Sequence, residues 1–267
     1  MKAHLARYKR EHLVVLEDGL WRSNQRPYPH ILPESAHRLN ILETIRDDFW
    51  EYFKNHCATL PLHTDFHHLN SSQAFAFNLF YPWACNEAAH RYLLSALSLE
   101  REEIVHWSFE AIPDPAERTT FDFYAVLASG RRVLIEVKLT EARFGDTVPN
   151  QEHRNKLQKT YTPRLVGKAI ASGLEEAVFF PNYQLLRNVS HLDIGRGDCL
   201  CLVLPRANDF TWQQGVEFLN YLEAPVQSAV RLIAVEDLSA TLSKLAPSVS
   251  SGLCEHMKLL EKKYLIG

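Results

Sequence analysis

The chain has 267 residues, 46% hydrophobic and 23% charged, with 10 Gly, 13 Pro and a formal net charge of −3. This composition excludes a disordered, collagen-like or coiled-coil protein and describes one large domain, or one domain with a sizeable extension. The longest apolar runs, such as CLCLVL at 199–204, fall far short of the roughly 18 residues a membrane span requires, and MKAHLARYKR is not followed by an apolar signal region, so the expected setting is the cytoplasm, without a membrane.

In chain order, residues 1–32 are mixed in character, and Pro27, Pro29 and Pro33 close them off as an extension. Leu39, Ile41, Leu42, Ile45, Phe49, Trp50 and Phe53 then recur at three- and four-residue spacing, which predicts one long amphipathic helix over 33–55. After the histidine-rich HTDFHH, Asn70 and Ser71 offer cap oxygens to a helix SSQAFAFNLF that Pro82 interrupts, and a second helix is expected over 84–99. From 104 the period shortens to two in IVHWSFEAI, FDFYAVLA and RVLIEVKL, with Ser129-Gly130-Arg131 as the turn between the last two. Helical patterns return at 151–172 and 175–192, followed by the strand CLCLVL, a helix at 210–222, the strand RLIAV and two closing helices. Helices, three strands, then alternating helix and strand describe an α/β fold with a mixed central sheet flanked by helices.

The chemistry concentrates on the 121–139 hairpin. With a loop at 128–130, Asp122 lies across from Glu136, and Lys138, two residues on, shares the Glu136 face; Val133, Ile135 and Val137 form an apolar opposite face fit to pack under a helix. Two adjacent carboxylates repel unless a cation joins them, and hard oxygen ligands with open positions suit Mg²⁺, or Mn²⁺ in its place. A lysine beside that ion can orient an attacking water and offset charge on a pentavalent phosphorane. The competing reading is an exposed carboxylate–lysine pair on a solvated sheet face.

The run FDFYAVLASGRRVLIEVKLTE, set after a helix pair and the strand WSFEAI, resembles the core of the PD-(D/E)xK nuclease superfamily, the restriction-endonuclease-like fold. The segments HHLNSSQAFAFNLFYP, NYQLLRN and VRLIAVEDL further resemble a bacterial group of restriction-type nucleases within it. The resemblance spans roughly 63–238 and departs from the family at Phe121, which stands where the first motif has proline. It implies a nuclease-like domain over 63–267 behind an N-terminal extension at 1–62, with DNA as partner and a metal-dependent endonuclease activity. Asp122, Glu136 and the Val137 carbonyl would hold Mg²⁺, and Lys138 would position the water. The alternative is a silent DNA-binding or assembly protein that keeps the fold.

Further residues follow from these expectations. Glu87, on the helix before the sheet, and Glu110, ending the first strand, are rivals as an additional metal or water contact. Gln184 and Arg187 are three apart and share a helix face, able to aim an amide and a guanidinium at one phosphate. Between 131 and 168 nine basic residues stand against four acidic ones, so Arg154, Lys156, Lys159, Arg164 and Lys168 are expected to track a phosphate backbone, with a solvated helical face as the plainer reading. Double-strand cutting by a subunit with one site favours a homodimer. His63, His67 and His68 read as a loop that meets solvent or DNA rather than zinc, and Cys199 and Cys201 as small core residues of a strand. DIGRGD lacks a following GK[ST] and reads as a turn, not a nucleotide loop.

Overall fold

The computed structural model describes residues 1–57, 60–99 and 102–266. They form two compact units, Met1–Arg101 with Glu236–Gly267 and, between these in sequence, Glu102–Val235. Among the described residues no helix is long and apolar enough to cross a membrane.

The first unit opens with helix α1 (Lys2–Glu11) and a small antiparallel hairpin, β1 (Gly19–Trp21) and β2 (Arg26–Tyr28), where the sequence suggested only an extension. Lys9, fully buried, holds this start together: its ammonium donates to Asp18 Oδ1 and the Glu17 carbonyl, each at 2.7 Å, and to the Ile31 carbonyl at 3.1 Å. The single helix expected over 33–55 is instead a 3-10 helix, Glu34–Asn40, followed by α2 (Arg46–His56), with Ile41 extended between them. Buried Asn40 explains the break. Its amide donates to the carbonyls of Phe66 at 2.6 Å and His68 at 2.7 Å, a tertiary requirement that outweighs the helical period.

Helix α3 (Ser72–Ala84) begins as expected, with Ser71 Oγ accepting from the Ala74 N–H, but it runs through Pro82 instead of stopping there. Proline withholds the N–H that would bond the carbonyl of residue 78. His256, from the C-terminal helix, brings Nε2 to 2.8 Å from the Asn78 carbonyl oxygen and supplies that donor. The helix expected over 84–99 is reduced to a 3-10 turn, Glu87–Ala89, capped by the Asn86 side chain, and α4 (His90–Ala96).

The second unit carries the sheet. Strands β3 (Ile104–Ala111), β4 (Phe121–Leu127) and β5 (Arg132–Val137) form an antiparallel meander. Short helices follow: α5 (Gln151–Lys156), a π turn at Leu157–Tyr161, α6 (Thr162–Leu165), α7 (Glu176–Phe179) and α8 (Tyr183–Ser190). Strand β6 (Cys199–Leu204) pairs parallel to β5; α9 (Asp209–Leu219) and α10 (Ala224–Ala229) then lead to β7 (Val230–Ala234), parallel to β6. The sheet order is β3-β4-β5-β6-β7, an α/β architecture with a mixed sheet flanked by helices. The two long helices expected over 151–172 and 175–192 are shorter: the first passes through Pro163 and ends after Leu165, where Gly167 takes a φ of 75°, and the second is interrupted between α7 and α8, where Pro181 lacks a backbone donor. Helices α11 (Val235–Leu245) and α12 (Ser251–Tyr264) return the chain to the first unit.

Leu134, Leu200, Leu202 and Leu204 pack in one cluster with Leu185, Leu186 and Val189 of α8 and with Phe144, Phe179 and Phe218. Burying each leucine contributes roughly 1.5–3 kcal/mol relative to exposure. Val133 and Ile135, on the other face of β5, are buried as well, as befits a strand with a parallel neighbour. Glu136 shares the face of Leu134, so it lies under α8 rather than on a solvated surface.

Candidate active site

The β4–β5 turn is closed by Gly130, whose φ of 84° lies in the left-handed region that glycine adopts without cost. Tight pairing follows, Tyr124 with Leu134 and Phe123 with Ile135, and one further step sets Asp122 against Glu136. On the other side of β4, Glu110 falls between the pairs Phe109 with Phe123 and Ala111 with Phe121, opposite Asp122. Glu110, Asp122 and Glu136 therefore occupy one row across three neighbouring strands. Glu110 has a φ of 48°, a conformation that non-glycine residues adopt at a cost and that recurs at functional sites. Glu87 is exposed in a 3-10 turn of the first unit.

Each member of the row has defined partners. The Val137 N–H donates to Asp122 Oδ2 at 2.6 Å. Because the N–H and C=O of a strand residue project to the same edge, the Val137 carbonyl faces the Asp122 side too. Glu136, 3% exposed, is held by Lys138 Nζ at 2.9 Å and by Gln184 Nε2 at 2.7 Å on Oε1, and by Asn188 Nδ2 at 3.2 Å on Oε2. Burial raises the Asp122 carboxyl well above the usual carboxylate range, and the charges of Glu136 and Glu110 push it further; Lys138 and the Val137 N–H offset this only in part. For Lys138 burial opposes the ammonium, but Glu136, Asp122 and Glu141 outweigh it and hold its pKa above the usual lysine value.

Among the described residues no group of three or more His, Cys, Asp and Glu side chains is arranged to hold a metal ion by itself. The row nevertheless suits a hard divalent ion. Three carboxylates answer to one lysine, an excess of negative charge, and Mg²⁺ is commonly held by one or two carboxylates plus oxygens of the substrate rather than by a complete protein cage.

Helix α8 supplies most of the surrounding polar groups. Gln184 and Asn188, one turn apart, both reach Glu136, while Gln184 Oε1 accepts from the Gly145 N–H at 2.9 Å. Arg187 instead donates through Nε to Glu117 Oε1 at 3.0 Å. Glu117 was not singled out in the sequence, where it sits in the loop PDPAERTT. Its nearly inaccessible carboxylate accepts from Arg187, His191, Tyr161 and Thr119, and although burial opposes ionisation, these partners hold its pKa far below the usual range. Asn188 was missed too, although its four-residue spacing from Gln184 carried the signal.

The basic stretch is largely neutralised by the protein itself. Arg154 pairs with Glu176 at 2.9 Å, Lys156 with Glu152 at 2.8 Å and Arg164 with Asp114 at 2.7 Å, while Lys168 donates to the Ser190 carbonyl at 2.9 Å. Lys159 is exposed and has no such partner among the described residues. Three other motifs are structural. His67 and His68 are buried rather than facing solvent, His67 Nε2 lying 3.1 Å from the Leu20 carbonyl oxygen. Cys199 and Cys201 are buried in β6, and within DIGRGD the buried Asp198 accepts from the Arg132 N–H and Nε, each at 2.9 Å, tying the hairpin to the start of β6.

A mixed five-stranded sheet whose first three strands carry a carboxylate row beside a lysine defines a restriction-endonuclease-like α/β protein. Over residues 2–265 the chain matches the family model described as restriction endonuclease associating with ARP, and it belongs to that family. No curated protein and no solved structure matches it.

Proposed function

We propose that the protein is a Mg²⁺-dependent endonuclease that hydrolyses phosphodiester bonds in DNA. The observation that carries this reading is the convergence of Asp122, Glu136 and Lys138 on one hairpin, with Glu110 completing the row. Asp122, Glu136 and the Val137 carbonyl would hold the ion, which when bound polarises a phosphoryl oxygen and eases deprotonation of water. Lys138, kept cationic by the surrounding carboxylates, offers its ammonium to the attacking water and to the charge that grows on phosphorus. Gln184 and Asn188 fix the Glu136 carboxylate so that no reorganisation is needed when the substrate arrives. Five cysteines without a disulfide support a cytoplasmic setting, and a single site per chain supports a homodimer for cutting both strands. The family description pairs such an endonuclease with ARP, and we extend that pairing to this chain.

The test is digestion of a mixed DNA panel with Mg²⁺, Mn²⁺ or Ca²⁺. Mg²⁺ and Mn²⁺ should support cleavage, whereas Ca²⁺, with longer bonds and looser coordination, should support binding with little hydrolysis. Asp122→Asn and Glu136→Gln should each abolish cleavage without unfolding the chain. Cleavage that persists in excess chelator, or in both variants, would falsify the assignment. Binding without cleavage under every metal would identify a silent DNA-binding member of the fold.

A further inference from the structure

Next to the carboxylate row lies a cavity of about 230 Å³ lined by Arg118, Thr119, Thr120, Gln184, Arg187 and Asn188. It is contiguous with the row, because Gln184 and Asn188 touch both. Two arginines are among these lining residues. Arg187 spends its Nε on Glu117, and among the described residues neither of its terminal amino groups has a hydrogen-bond partner. Arg118 is exposed, has no ion-pair partner among the described residues, and has a φ of 65°, in the region disfavoured for a side chain of its size.

The loop that presents Arg118 is tied down on both sides. Asp114 accepts from the Ala116 N–H at 2.9 Å and pairs with Arg164, its carbonyl accepts from the Arg118 N–H at 2.8 Å, and Glu117 accepts from the Thr119 N–H at 2.9 Å. The strained position is thus held by its neighbours. A second observation points to an occupant. Asn188 is fully buried, yet its Oδ1 has no hydrogen-bond partner. The amide cannot satisfy itself by rotating, since Nδ2 is committed to the Glu136 carboxylate, an acceptor only. Such an orphan is costly unless something that donates a hydrogen bond enters the cavity.

We infer that this cavity binds a phosphate of the DNA strand flanking the phosphate that is cleaved. Arg118 and the terminal amino groups of Arg187 take the anionic oxygens, Thr120 adds a hydroxyl, and a water bridges the phosphate to Asn188 Oδ1. This deepens the endonuclease reading and rests on its claim that this face binds DNA. It assigns the loop between β3 and β4 a part in setting the strand's position. Gly145 and Glu136, both bonded to Gln184, couple that position to the carboxylate row.

The experiment uses full-length protein carrying Asp122→Asn, so that binding is read without cleavage, and a short DNA duplex in which single phosphates are replaced in turn by neutral methylphosphonates. Fluorescence anisotropy should find one position where the replacement weakens binding about tenfold, the size expected for one charge-assisted contact. In a second protein that adds Arg118→Gln, the unmodified duplex should bind about tenfold more weakly and the same replacement should have no further effect. Arg118→Gly removes the charge while relieving the strained backbone, so it should show the same binding loss with a melting temperature no lower than the parent's. Equal affinity with and without Arg118, or additive losses at every position, overturns the inference. Inorganic phosphate that binds as tightly as the duplex, in an Arg118-dependent manner, also overturns it in favour of a free-anion site. Cleavage by the parent is scored separately: a parent that cuts DNA but shows no Arg118-dependent phosphate loses only this inference, and one that shows it without cutting loses only the hydrolytic reading.

Discussion

Lys138 Nζ lies 2.9 Å from Glu136 Oε1, two residues back on the same strand, and both side chains are largely withdrawn from solvent. An ion pair so placed is close to a catalytic arrangement and also close to a merely structural one. Kinetics separate the two. Lys138→Ala should retain DNA binding within a few-fold and lose kcat by about two orders of magnitude, the usual loss when one preorganised charge donor is removed from a transition state. Single-turnover cleavage alongside anisotropy measures both, and a variant as active as the parent would assign the lysine to stability.

The cations on α5 and in the π turn should differ in their effect on binding. Lys159 is free among the described residues while Lys156 is paired with Glu152, so Lys159→Glu should flatten the dependence of log affinity on log salt by about one, and Lys156→Glu by less. Equal slopes across the parent and both variants would put the DNA path elsewhere.

Glu117→Ala should be among the most damaging changes outside the carboxylate row. It removes an acceptor shared by Arg187, His191, Tyr161 and Thr119 and leaves their donors buried, at a cost of about 3–5 kcal/mol. Urea denaturation followed by tryptophan fluorescence should show the midpoint fall. An unchanged midpoint would mean that water replaces the carboxylate.

The first unit should weaken in mild acid. Burial, the leading cause in each case, lowers His30, His68 and His256 from 6.5 to about 4. The unfolded chain therefore takes up protons first as pH falls, so their contribution is complete above the unfolded value near 6.5 and is lost on descent toward 4. For His256 alone the window is worth about 3 kcal/mol. His256→Gln keeps a donor for the Asn78 carbonyl but cannot titrate, so its melting temperature should vary less with pH across that window than the parent's does.

The hairpin was legible because its information is local: period two, a Ser-Gly-Arg turn, and a register that the turn fixes. All five strands of the main sheet fall where the sequence suggests, since β-branched and apolar runs of that length have few other uses. Helix lengths were not legible where a distant group intervened, as Asn40 does through Phe66 and His68, and as His256 does in letting α3 pass Pro82. The same distance hides how the charges pair, since Arg154 and Arg164, two of the nine basic residues, meet Glu176 and Asp114, which are remote in sequence. Glu117 carried no signal at all, because a glutamate in a proline-bearing loop announces solvent, and only the fold brings four donors to it.

The hydrogen bond between His256 and the Asn78 carbonyl has a temporal side. The two residues are 178 positions apart, and Asn78 also donates to the Tyr264 hydroxyl at 2.9 Å. Residues 102–235 are contiguous and can condense as they leave the ribosome, whereas α3 must wait with an exposed carbonyl until His256 has been added to the chain. During synthesis the N-terminal helices are thus the latest part to become native, and a chain cut short before α12 would present to the cell a finished sheet attached to an unfinished helical half, the form that chaperones and proteases recognise.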